Sequence, residues 1–274
     1  MNEIANVTGT AFVVAEYRAE ENFAAHPLYS DDVVGLFLSP ESRQAADRAA
    51  NGFPLVKELV KLRTRYFDEM LDAQISRGCR QVVVLGSGLD TRAQRKSAPG
   101  VTYFEIDDAA TLGMKQACLT LHGIRGDTRY IFGNYVNDGM MALLLKSGFN
   151  PELPTYVIWE GNTMYLPRSS DMAILGELRD NLKSFHVSFD YFAEAMISKS
   201  TGVPGLTRMI ENFENMNAPW VTGFNDIAAL ASEVGLRVVD DTTTGALHRV
   251  YRPTAEAPAF GPFYSICTLA SRRH

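Results

Sequence analysis

Gly86, Gly88 and Asp107 have the types and the spacing to hold a ribose-bearing ligand at the edge of a sheet. Val82, Val83, Val84 and Leu85 form a continuous apolar run too short for a helix, the pattern of a parallel strand covered on both faces. Gly86 and Gly88 follow at once, where a chain leaving a sheet must turn tightly and let a ligand approach bare backbone. A second strand, Val101 to Ile106, leads into Asp107, which lies 21 residues past the first glycine (107 − 86). A carboxylate there can accept hydrogen bonds from both hydroxyls of a ribose. The dinucleotide fingerprint wants a third glycine at position 91, so that a helix can pack closely under a pyrophosphate, and Thr91 stands there instead. The expected ligand therefore has a ribose and no diphosphate: S-adenosylmethionine. The alternative is an ordinary strand-turn-helix whose glycines serve only the turn.

Two charged residues sit where apolar ones are expected. Val56, Leu59, Val60, Phe67, Met70 and Leu71 trace one apolar helical stripe, and Arg63 falls inside it. A guanidinium there needs an anion. An ion pair with an internal Asp or Glu, a snorkelling side chain, or a fork on the carboxylate of the cofactor would each serve. Glu160 and Gly161 follow the apolar run Tyr156 to Trp159, where a strand emerges at its carboxyl end and ligands bind in open parallel sheets. Glu160 can accept hydrogen bonds from an ammonium group, or cap the next helix. Should proton transfer be needed, His186, His248, Tyr165 and Tyr264 are the candidate bases. No cluster has metal-ligand spacing, and Asp31-Asp32 and Asp240-Asp241 have the look of solvated turn residues.

The elements that must position these residues alternate along the chain. Three helical stretches, 6–22, 28–51 and 55–77, rich in Ala, Glu, Leu and Arg, precede any strand. Strands are expected at 81–85, 101–106, 128–132, 154–159, 185–192, 236–243 and 263–269, the last inserted antiparallel. Helices are expected at 107–123, 136–147, 169–183 and 223–234. This is a doubly wound, mostly parallel α/β sheet of seven strands in a single domain. It divides into an N-terminal helical cap (1–78), a cofactor-binding core (79–195), an insertion (196–222) and the C-terminal part of the core (223–274). Gly202, Pro204, Gly205 and Pro219 punctuate the insertion, which breaks the alternation and is read as a lid. Met196, Met209, Phe213, Met216 and Trp220 would give that lid an adaptable apolar lining.

At 274 residues and 46% hydrophobic content the chain can bury a full core. A net charge of −6 without a dense basic cluster argues against nucleic acid and for a small-molecule acceptor. Cys79, Cys118 and Cys267, odd in number and widely spaced, read as reduced cytoplasmic thiols. The N-terminus, with Glu3 and a short apolar run from Ala11 to Ala15, is not a signal peptide, and nothing approaches a membrane span.

Several segments together resemble the leucine carboxyl methyltransferase family, including bacterial relatives that methylate polyketides and other small metabolites. They are RAEENFAAHPLYSDDVVGLFL (18–38), RTRYFDEML (63–71), QVVVLGSGLDTR (81–92), VTYFEIDDA (101–109) and VIWEGNTMYL (157–166), in matching order and spacing. The resemblance implies that Arg63 binds the carboxylate of S-adenosylmethionine and that Gly86 and its turn, with Ser87, Gly88 and Asp90, face the methionine portion. By the same resemblance Asp107 holds the ribose hydroxyls, Glu160 meets the amine, and Arg18 also reaches the carboxylate. Asn134-Tyr135 stands where the family has Asp-Leu beside the adenine, leaving an acceptor oxygen without charge, and Ala109 replaces a proline at the next helix start. Tyr165 gains weight as a base from its place in the WEGNTMYL block. The function expected is O-methylation of a carboxyl or hydroxyl group of a small metabolite. The alternatives are esterification of a protein C-terminal carboxyl, a non-catalytic cofactor-binding scaffold, and a nicotinamide-dependent oxidoreductase, the last disfavoured by Thr91.

Overall fold

The computed structural model describes residues 3–52, 54–215, 218–256 and 258–272. Helices α1 (Glu3–Ala19), α2 (Pro40–Gly52) and α3 (Pro54–Ser76) form the N-terminal cap. The single helix expected at 28–51 is divided: a 3₁₀ turn at Val34–Phe37 comes first, and α2 begins only at Pro40. The cause is local. Ser39 and Ser42 exchange backbone-to-hydroxyl hydrogen bonds of 2.8 and 3.2 Å, a reciprocal cap that starts a helix there, and Pro40 suits its first turn.

Seven strands follow: β1 (Gln81–Leu85), β2 (Thr102–Asp107), β3 (Thr128–Phe132), β4 (Thr155–Trp159), β5 (Phe185–Phe192), β6 (Arg237–Thr243) and β7 (Tyr264–Ala270). Their order in the sheet is β3-β2-β1-β4-β5-β7-β6, with β7 antiparallel to both neighbours and the rest of the sheet parallel. Between them run α4 (Arg92–Arg95), α5 (Ala109–Leu121), α6 (Met140–Lys146), α7 (Arg168–Asn181), α8 (Glu194–Ile197), α9 (Pro204–Asn215), α10 (Ile227–Glu233) and α11 (Thr244–Tyr251). Replacement of the proline by Ala109 does not disturb α5, because Asp108 caps it, accepting from the amides of Ala110 and Thr111. Helix α6 starts later than the apolar pattern suggests, after Gly139 in the left-handed region (φ 80°). The strand-helix pattern carries no expectation for α11, whose start Thr243 caps by accepting from Ala246 N–H.

Alternate residues of the central strands feed two cores. Val83, Leu85, Phe104, Ile106, Val157 and Trp159 face a cluster that includes residues of α6, α7 and α10. Val82, Val84, Tyr103, Tyr156 and Ile158 face Tyr66, Phe67 and Leu71 of α3 and Leu247 of α11. Each fully buried aliphatic side chain contributes roughly 1.5–3 kcal/mol, which is why the apolar runs dictate the sheet. Strand order reverses between β1 and β4, so the crevice for a ligand opens at their carboxyl ends. Beyond β5, Met196 of α8, Leu206, Met209, Ile210 and Phe213 of α9, and Trp220 after it, are buried against Leu59, Met164, Phe192 and Tyr264. Met216 lies outside the described residues. No helix among the described residues is long and apolar enough to cross a membrane.

Candidate active site

The turn after β1 is held from below by Asp107. Gly86 and Gly88 take left-handed φ values of 60° and 47°, which side chains rarely tolerate. A Cβ on Gly86 would lie 2.3 Å from Asn162 Oδ1. Gly88 N–H donates to Asp107 Oδ2 at 2.6 Å, and Asp108 N–H donates to Oδ1 at 2.7 Å. Burial raises the Asp107 carboxyl above its ordinary value, and these two amides pull it back. The Ser87 hydroxyl is buried with no hydrogen-bond partner among the described residues. Asp90 closes the turn through its backbone N–H to Ser87 O (2.8 Å), and its carboxylate pairs with Arg92. Burial would raise Asp90, but the guanidiniums of Arg92 and Arg18 outweigh it and hold it down to about 2.

Across the crevice, Arg63 reaches out of α3 to the end of β4. Its Nε donates to Glu160 Oε1 at 2.9 Å, and Nη1 donates to Asp190 Oδ2 at 3.2 Å and to the Tyr264 hydroxyl at 3.0 Å. The internal ion pair is thus what the apolar stripe conceals. Yet Nη2 has no hydrogen-bond partner among the described residues. Beside it, Gly161 (φ 73°) carries no side chain, and a Cβ there would come within 3.1 Å of Nη2. Glu160 Oε2 pairs with Arg92 at 2.8 Å, so the carboxylate is braced from both sides. Asn162 spans the gap by donating to Leu85 O (3.3 Å) and Glu160 O (2.7 Å) and accepting from the Tyr135 hydroxyl. Its only sequence signal is its place after the strand-terminal Glu-Gly.

Other expected residues stand elsewhere. Arg18 does not point a free fork into the crevice: Nη1 donates to Leu89 O (3.0 Å), and Nη2 donates to Asp31 and to Thr91 Oγ1. Arg18 thereby straps α1 to the loop after the glycines. Asp31 is no solvated turn residue but fully buried, accepting also from Thr91, which fills the missing glycine's place with a hydroxyl. Asp240, half-buried, and Asp241, exposed, lie in β6 rather than in a turn and accept from the hydroxyls of Tyr66 and Tyr191, both at 2.7 Å. Asn134 is exposed, and its Oδ1 is taken by the amides of Val136 and Asn137, so the acceptor oxygen expected for adenine caps its own turn. Tyr135 is buried, its hydroxyl accepting from Trp159 Nε1 at 3.1 Å.

Among the candidate bases, His186 opens β5 at the sheet edge opposite the glycine turn. His248 is buried on α11, which rests on α3, β6 and β7. Tyr264 is spent on Asp190 and Arg63. Tyr165 remains. It is 39% exposed, but burial of its hydroxyl end pushes the phenol up, with Trp220 and Arg63 pulling the other way.

Three bare glycines, an unspent guanidinium nitrogen, an orphaned hydroxyl and a carboxylate at the end of β2 fit a ligand carrying an amino acid at one end and a ribose at the other. The family model described as leucine carboxyl methyltransferase matches residues 11–179. A "putative S-adenosyl-L-methionine-dependent methyltransferase" of Mycolicibacterium smegmatis is 29% identical over 92% of this chain and 88% of its own. One of Rhodococcus jostii with the same description is 33% identical over 70% and 68%. Among solved structures, a "putative methyltransferase" from Thermobifida fusca superposes with a TM-score of 0.61 at 16% identity, covering 86% of this chain and 90% of that one. Magnesium protoporphyrin IX methyltransferase from Synechocystis, with bound S-adenosylhomocysteine, gives 0.51 at 9% identity over 89% and 91%; both show the fold. The chain belongs to the leucine carboxyl methyltransferase family and is an S-adenosyl-L-methionine-dependent methyltransferase.

Proposed function

We propose that the protein O-methylates a carboxyl or hydroxyl group of a small, polyketide-like metabolite. The observation that carries this reading is the Arg63–Glu160 pair, held at the carboxyl edge of the sheet beside the glycine turn, with Arg63 Nη2 left over. Bound S-adenosylmethionine supplies a methyl group already activated on a sulfonium, so the protein's share is alignment in a dry pocket. Arg63 Nη2 takes the cofactor's carboxylate, Glu160 its amine, and Asp107 the ribose hydroxyls. The backbone of the turn through Gly86, Ser87, Gly88 and Asp90 faces the methionine portion, and Asn134-Tyr135 flanks the adenine. Tyr165 donates a hydrogen bond to the acceptor, since its raised phenol keeps its proton at neutral pH. A carboxylate acceptor needs no base, which suits a crevice edge where Asp190 is occupied and both histidines stand apart. Residues 196–222 act as the lid over that acceptor, and the unpaired cysteines suit a cytoplasmic setting.

Calorimetric titration with S-adenosylhomocysteine and with NADH tests the reading, followed by turnover against a metabolite panel. Arg63→Ala should weaken S-adenosylhomocysteine binding by about 1.5–3 kcal/mol, the scale of a hydrogen bond to a charged group. An unchanged affinity in the folded variant would sink the assignment.

A further inference from the structure

We propose that Asp190 and Tyr264 are positioning residues for the cofactor's amino-acid end; this rests on the assignment of Arg63 and Glu160 above. Asp190 lies in β5, which is buried at every position but His186, and its side chain is itself fully buried. Burying a carboxylate there costs several kcal/mol unless its oxygens are fully partnered. They are: Oδ1 accepts the Gly161 N–H at 2.6 Å, and Oδ2 accepts from Arg63 Nη1 (3.2 Å) and from the Tyr264 hydroxyl. One carboxylate therefore fixes two separate things, the rotation of the guanidinium and the left-handed turn that carries Glu160. Tyr264 completes the clamp by touching both Asp190 and Arg63.

The geometry gives this clamp a task beyond stability. With Nη1 held by Asp190 and Nε by Glu160, Arg63 has only Nη2 to present, and it presents it beside Gly161, where there is room. Released from Asp190, the guanidinium can turn to pair with Glu160 through two nitrogens, which withdraws Nη2 and occupies the carboxylate meant for the amine. Tyr264 is thus no base: its phenol is pushed well up by burial and its proton is committed to Asp190.

The test compares two ligands. S-adenosylhomocysteine carries the amine and carboxylate; 5′-methylthioadenosine carries the same nucleoside and sulfur without them. Asp190→Asn should lower S-adenosylhomocysteine affinity about 10-fold, and Tyr264→Phe about 3-fold, while both leave methylthioadenosine affinity within about 2-fold. In an Arg63→Ala background, Asp190→Asn should cost less than about 2-fold more, because its effect passes through Arg63. Equal losses for both ligands, equal losses in both backgrounds, or unchanged affinities in folded variants would each overturn the proposal. Should Asp190→Asn not fold, Tyr264→Phe decides by the same comparison. A wild-type protein that takes up methylthioadenosine and S-adenosylhomocysteine equally would instead overturn the Arg63–Glu160 assignment itself.

Discussion

Adjacent aspartates at the end of β2 do different work. Asp107 accepts the amides of Gly88 and Asp108 and stands at the crevice, whereas Asp108 turns away to cap α5. Asp107→Ala should therefore weaken S-adenosylhomocysteine binding, both by removing the ribose acceptor and by loosening the glycine turn. Asp108→Ala should leave affinity within about 2-fold but cost about 1 kcal/mol of stability, the usual loss of a helix cap. Calorimetry and urea melts read the two effects separately. Equal affinities for the two variants would show the ribose assignment to be wrong.

Helix α7 carries a conflict between its sequence and its setting. Asp171, in its first turn, is 1% exposed, and neither carboxylate oxygen has a hydrogen-bond partner among the described residues. Burial pushes it up to about 8, and the nearby Arg168 offsets this only in part. An unfolded aspartate titrates near 3.9, so the folded protein keeps this proton across a range where the unfolded chain has lost it. The group's contribution is full below about 4 and is lost as pH rises through about 8. Glu105, raised to about 7 by burial despite its pair with Lys115, tilts stability the same way. Asp171→Asn should thus raise stability by about 1–3 kcal/mol at pH 8 and change it little at pH 4. Melting curves at the two pH values check this; an unaltered pH slope in the variant would refute it.

Across the whole molecule, the N-terminal cap and the segment after β5 meet over the carboxyl edge of the sheet. Leu59 of α3 packs with Phe192, Met196, Met209 and Trp220, and the chain returns by a hydrogen bond from Val221 N–H to Met164 O (2.8 Å). The Trp220 ring lies between those of Phe192 and Phe213, tilted 34° to each, at centroid distances of 4.2 and 4.5 Å. Such a layer is adaptable where methionine supplies part of it, which suits a flat acceptor. Hydrogen exchange should show protection at the glycine turn on addition of S-adenosylhomocysteine. Further protection across 196–222 should follow once an acceptor found by turnover is added. Protection confined to the turn under both conditions would rule the lid out.

Local pattern was enough for the sheet, the glycine turn, Asp107, and the oddity of Arg63 in an apolar stripe, because strand runs, turn residues and helical periodicity act over a few neighbours. It was enough for the place of Glu160 too, since a charged residue after a buried apolar run marks where the strand emerges from the sheet. It failed where a residue's partner lies far along the chain. Arg63 and Tyr264 are 201 residues apart and meet only because β7 inserts antiparallel beside β5. Asp31 reads as a surface turn until α1 and the loop of Thr91 close around it, and Arg18 reads as a cofactor ligand until Asp31 claims it. Sequence therefore determined the strands and the glycine turn at the carboxyl edge of the sheet, through short-range backbone and burial preferences. Only the tertiary structure decided which charges are paired within the protein, Arg63 with Glu160 and Asp190 and Arg18 with Asp31, because that depends on long-range packing of buried ions.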